Sequence, residues 1–183
     1  MGTPRKTLLQ KLRRFSRARR GTAAVEFSLV VFPFFLLMFG LAEISMIGFA
    51  QTSLNNAVSE TARQIRTGRA QMGGVSQAEI EEALCDELNM FMFMECAGNL
   101  YLDVDRFDSF TNASNNAADP IENNQFQPTG MGYTPGAPSD IVVVRAYYRW
   151  KVMTPLFESV FSNVSNGERI LVSTMMFRNE PYQ

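Results

Sequence analysis

The chain has 183 residues, 46% of them apolar and 19% charged, and it contains no histidine. Without histidine the commonest general base and the commonest metal ligand are both missing, which excludes the usual serine or cysteine triads and histidine-bound metal centres. The near-zero net charge hides a partition: of 17 Lys and Arg, eight precede Gly21 and nine follow it, against all 18 Asp and Glu, so a cationic leader precedes an anionic remainder.

The leader, residues 1–21, carries Arg5, Lys6, Lys11, Arg13, Arg14, Arg17, Arg19 and Arg20. It abuts an apolar run, so the positive-inside rule keeps it in the cytoplasm and sends the residues beyond about Ala50 across the membrane. That accounts for the charge without nucleic acid, and no nucleic-acid partner is expected.

Phe27–Ala50 is 24 residues long. At about 1.5 Å per residue it would reach about 36 Å, enough to cross a hydrocarbon core of about 30 Å with some tilt. Phe27, Phe32, Phe34, Phe35, Phe39 and Phe49 make it aromatic. Pro33 removes one helical hydrogen bond and predicts a kink. Gly40 and Gly48 offer close-approach points for neighbouring helices. Glu43 lies late in the run and reads as a solvated carboxylate at the far interface.

Glu26 stands one residue before the apolar stretch, where a carboxylate is costly to desolvate without a cationic partner. Arg19 or Arg20 could serve in an intact chain. A cut after Gly21 would create an α-amine on Thr22, four residues from Glu26 and on the same helical face. The alternative is a carboxylate that snorkels to the headgroups.

Beyond the membrane, Ile47, Leu54, Val58, Ala62 and Ile65 recur at helical spacing, with Asn55, Ser59, Arg63 and Arg66 opposite, and Gly68 ends the pattern. A helix over 22–67 would be about 70 Å long. Ser76 and Glu79 have capping-box spacing and open a short helix through about Leu88. Asn89–Cys96 is rich in Met and Phe and reads as core or as a contact patch. Cys85 and Cys96 are the only cysteines, and an extracytoplasmic domain would let them pair. Leu100, Leu102 and Val104 alternate with polar residues as a strand.

Residues 108–140 are dense in Asn, Pro, Gly and Ser and read as a long, exposed loop. The Asp103, Asp105 and Asp108 cluster lacks EF-hand spacing and reads as solvated strand-edge charge, with calcium as the sharper alternative. Ile141–Met153 alternates: Val142, Val144, Ala146, Tyr148, Trp150 and Val152 form an apolar face, and Arg145, Arg149 and Lys151 a wet one. Ile170–Phe177 is a further strand after an Asn166-Gly167 turn. The fold class is therefore α+β: a long N-terminal helix packed on a small antiparallel sheet. The division is leader 1–21, membrane helix 22–50, its periplasmic continuation 51–70, and an outer domain 71–183. No enzyme motif, phosphate loop or CxxC pair is found, so neither an enzyme nor a cofactor is expected.

Arg20-Gly21-Thr22-Ala23-Ala24-Val25-Glu26-Phe27-Ser28-Leu29-Val30, with Pro33 following, resembles the N-terminus of TadE-like pseudopilins, minor pilins of the bacterial tight-adherence (Tad) pilus system. The ending Phe177-Arg178-Asn179-Glu180-Pro181-Tyr182 is also similar to that family. The resemblance implies cleavage between Gly21 and Thr22 by a prepilin peptidase, with Glu26 as the fifth mature residue and a subunit-alignment group. It implies an apolar helix, through Phe27, Pro33, Phe35 and Gly40, that serves as membrane anchor and assembly surface. The implied partners are the major pilin, other minor pilins, the Tad inner-membrane assembly platform and membrane lipid. The implied location is a single-pass inner-membrane protein with a periplasmic C-terminal domain, later incorporated in an extracellular pilus. The sizeable outer domain points to the larger TadE/TadG-type branch and leaves priming, tip and adhesion roles open. The alternatives are an uncleaved bitopic protein with a periplasmic interaction domain, and a secreted domain cleaved near Ala42, where Gly40 and Ala42 are small at the right offsets.

Overall fold

A computed structural model describes residues 19–89, 94–115 and 120–182, with the side chains of Arg19 and Arg20 left aside. Most of the basic leader and the Met90–Phe93 part of the Met- and Phe-rich patch lie outside the described residues.

Helix α1 (Arg19–Arg66) is followed by a short helix α2 (Arg69–Gly73) and by α3 (Gln77–Asn89). Strand β1 (Leu100–Phe107), helix α4 (Phe110–Asn115) and the strand pair β2 (Ile121–Glu122) and β3 (Gln125–Phe126) come next. Strand β4 (Ile141–Lys151), a 3₁₀ turn (Pro155–Phe157), helix α5 (Glu158–Phe161) and strand β5 (Glu168–Arg178) complete the chain. The class is α+β. The chain divides into two compact units, residues 1–42 and 43–183.

In the second unit, β1, β4 and β5 form an antiparallel sheet in the order β1-β4-β5. Its register sets Val104 against Val144 and Val144 against Met175. One face packs on the α1 stripe expected from the sequence: Leu54, Val58 and Ile65 are fully buried, and Ala50 and Ala57 join them. Ile80, Leu84 and Leu88 of α3 close the same core against Leu102, Val104, Val142, Val144, Ala146, Tyr148 and Trp150. Each fully buried Leu or Ile contributes about 2 kcal/mol by area removed from water. The expected capping box forms: the Ser76 N–H and hydroxyl donate to Glu79 Oε2 at 2.7 and 2.8 Å, and hold that carboxyl below its usual range.

Two expectations are corrected in part. The odd face of β4 is wet only at its end: Val143, Arg145 and Tyr147 are buried, whereas Arg149 is half-buried and Lys151 is exposed. The cause is the segment after α4, expected to be an exposed loop. Ile121, Phe126 and Met131 instead pack on Tyr147 and Ile170 and cover the second face of the sheet. The β2–β3 turn places Asn123 and Asn124 at φ 51° and 58°, the left-handed pair of a type I′ hairpin. The same segment guards the β1 edge: Val104 N–H donates to Gly132 O at 2.8 Å, and Thr134 N–H donates to Val104 O at 2.7 Å.

Candidate assembly surface and its anchor

Within residues 21–42, α1 presents apolar side chains all round. Val25, Phe27, Leu29, Val30, Phe32, Phe34, Phe35, Leu37, Met38, Phe39 and Leu41 are all exposed. A helix apolar on every side needs an apolar medium or other helices around it. By length and composition this is one helix able to cross a membrane. Pro33 lies inside it, yet the helix is continuous from Arg19 to Arg66. Phe34, Phe35 and Phe39 line up ring to ring, with centroids 5.6 and 6.1 Å apart. Gly21, Thr22 and Glu26 are exposed near its start, with Thr22 and Glu26 one turn apart. A helical glycine gives up about 1 kcal/mol relative to Ala, so the first turn around Gly21 unwinds at little cost.

Glu43 is not a solvated interfacial acid. It is 2% exposed. Its Oε1 accepts the Met153 N–H at 3.1 Å, and its Oε2 accepts the Thr154 N–H at 3.1 Å and the Thr154 hydroxyl at 3.0 Å. Burial is tolerated because three donors meet the charge. The carboxylate pins α1 to the chain just after β4. Packing of α1 in the second unit thus starts at Glu43, so the stretch 43–50 assigned to the membrane helix carries Glu43 and Ala50 as buried residues of that unit.

The C-terminal tail holds the other end of α1. Glu180 N–H donates to Arg66 O at 2.8 Å, and the Arg66 guanidinium meets the Glu180 carboxylate at 2.8 Å. Buried Asn179 donates to Pro135 O and Ala137 O at 2.9 and 3.1 Å. The Tyr182 ring lies over Gly68, whose φ of +77° suits a helix stop, and its hydroxyl donates to Gly136 O at 3.2 Å. Sequence reasoning used this tail as a family mark and missed its structural task.

Cys85 and Cys96 are joined in a disulfide with Cα atoms 5.5 Å apart. The Asp103, Asp105 and Asp108 cluster does not converge. Asp103 accepts from Arg145 Nη1 at 2.9 Å and from Gly132 N–H at 3.1 Å, while Asp108 faces Arg106. Arg145 is 3% exposed. It also reaches Asp105 at 3.9 Å and sits 6.0 Å from the Phe107 ring centroid. Burial, then the neighbouring Asp103 charge, push the Asp105 carboxyl up. Among the described residues no group of three acidic or sulfur ligands could hold a metal. Asp103 is committed to the buried Arg145 guanidinium.

Residues 21–63 match the family described as TadE-like protein. No curated protein and no solved structure matches the chain. The family match falls on the exposed apolar segment, Glu26, Glu43 and most of the buried stripe.

Proposed function

We propose that this chain is a pseudopilin-type minor subunit of a Tad pilus. It inserts in the inner membrane with its basic leader in the cytoplasm, is cut by a prepilin peptidase between Gly21 and Thr22, and joins a filament through α1. The observation that carries the reading is an exposed helix, apolar on all sides, whose one acid near the start is Glu26.

In lipid or in a bundle of such helices, water is scarce and the Glu26 carboxylate needs a cation. Cleavage creates one, the α-amine of Thr22, on the same chain or on a neighbour. Pairing in a low dielectric favours the one axial register that brings the charges together and disfavours registers that leave Glu26 alone. The role is assembly rather than enzymatic turnover. The major pilin, the other minor pilins and the assembly platform are the partners that this role requires. A cut after Ala42 fits less well, since it would unwind α1 directly beside the buried Glu43 anchor.

Mass spectrometry of the mature chain from membranes and sheared pili is the test. An N-terminus at Thr22 is expected, and one at Met1 or Glu43 overturns the reading. A Cβ at Gly21 meets nothing within 4 Å, so Gly21→Glu leaves the fold intact and reports processing alone. Gly21→Glu should accumulate at full length in the inner membrane. Glu26→Ala should be cut and yet stay out of the filament.

A further inference from the structure

Outside α1, the segment after β4 exposes apolar side chains in close succession. Met153, Leu156 and Val160 are 51, 63 and 67% exposed. Phe157 and Phe161 back them, with ring centroids 5.5 Å apart. The residues that open this segment, Met153 and Thr154, are those whose N–H groups bind Glu43. Glu43 follows Ala42 directly, where the unbroken apolar run stops.

Phe27–Ala42 has 16 residues. At about 1.5 Å each they span about 24 Å, some 6 Å less than a hydrocarbon core of about 30 Å. The bilayer must thin or take in about four further residues. On that next turn Ile44 is exposed and apolar, and the Glu43 charge is turned inward onto three donors. Hydrogen bonding to Glu43 fixes the start of the 153–160 segment at this same level.

We propose that Met153, Leu156 and Val160 form a second membrane contact, seated in the lipid interface where α1 leaves the bilayer. The inference rests on the reading of α1 as a membrane helix. The occupant is a phospholipid surface. An amphipathic segment with a polar border binds there by burying its apolar side chains at the headgroup boundary. The border is cationic: Lys151 is exposed at the end of β4, and Arg169 lies beside the segment, donating to Phe161 O at 3.0 Å. Glu158, the one acid within the segment, folds its carboxyl over Gly167. Such a contact sets the orientation of the outer domain before assembly, and extraction into a filament must release it.

The test uses the full chain in phosphatidylcholine–phosphatidylglycerol vesicles, with a maleimide nitroxide at Leu156→Cys or Val160→Cys. Both native cysteines are bridged, so the introduced thiol is the one labelled. Phe35→Cys reports whether α1 is in lipid. Ser59→Cys, exposed and about 24 Å along α1 from Glu43, reports water. Labels at 156 and 160 should relax faster with oxygen than with a water-soluble nickel chelate, as at 35, with the reverse at 59. Lipid at 35 with water at 156 and 160 overturns the contact and leaves the membrane helix standing. Shielding of 156 and 160 from both reagents shows a protein contact, such as a second copy, and also overturns it. Water at 35 overturns the membrane helix and this inference together.

Discussion

Removal of the Glu43 carboxylate is the sharpest test of the anchor. In Glu43→Ala the N–H groups of Met153 and Thr154 lose their acceptor, while the Thr154 hydroxyl can rotate to another. Each orphaned part-buried donor costs about 1–3 kcal/mol, so the sum is about 4 kcal/mol. That is a large share of a total stability of about 5–15 kcal/mol. Glu43→Gln keeps one carbonyl oxygen but turns an NH₂ toward a donor, for about 2 kcal/mol. Thr154→Val removes one hydroxyl bond alone, for about 1 kcal/mol. Trp150, the only tryptophan, is buried two residues before Val152 and reports the unfolding of this region. In detergent, urea unfolding followed by its fluorescence should show midpoints falling in the order wild type, Thr154→Val, Glu43→Gln, Glu43→Ala. With a slope of about 2 kcal/mol/M, Glu43→Ala should shift by about 2 M. A Glu43→Ala midpoint no lower than that of Thr154→Val would refute the reasoning, since the backbone donors would then have no need of the carboxylate.

Gly68→Ala drives a Cβ into the Tyr182 ring at a φ of +77° and should cost about 3 kcal/mol. Adding Tyr182→Ala should cost less than the two changes summed, as a double-mutant cycle in urea would measure. Asp103→Leu leaves Arg145 buried without its closest partner and should cost about 3–5 kcal/mol, whereas Asp103→Leu with Arg145→Leu should recover most of that loss in the same assay. The Tyr148 hydroxyl donates to Glu95 O at 3.0 Å, and burial, then the Glu95 charge, push its pKa up to about 12. The folded state thus holds this proton more tightly than the unfolded chain, where tyrosine titrates near 10. Its contribution is full below pH ~10 and is lost as pH rises toward ~12, so Tyr148→Phe should flatten that alkaline decline in thermal unfolding.

The helical parts were legible because their signals are local. The stripe through Leu54, Val58 and Ile65 has a period of 3.6, and Ser76 and Glu79 meet across three residues. The Gly21–Phe27 pattern with its apolar run was likewise a matter of order along the chain. Strand β4 was half legible. Val142, Val144 and Ala146 face α1 as the alternation said, but Val142-Val143-Val144 is a continuous apolar run, the mark of a strand covered on both faces. Arg145 made its side look wet, although its charge is met by Asp103 on the neighbouring strand β1.

The amino-acid order alone thus determined the main helices and strands, the exposed apolar helix and the position of Glu26 relative to Gly21 and Thr22. Only the tertiary structure decided which charges are internal. Glu43 meets its donors 110 and 111 residues away, Arg145 meets Asp103 42 residues away, and the tail crosses 114 residues to clamp Arg66. A carboxylate or guanidinium reads as solvated until folding brings a partner into hydrogen-bond range, because the cost of burying it is offset only by that partner and no neighbour in sequence reveals it.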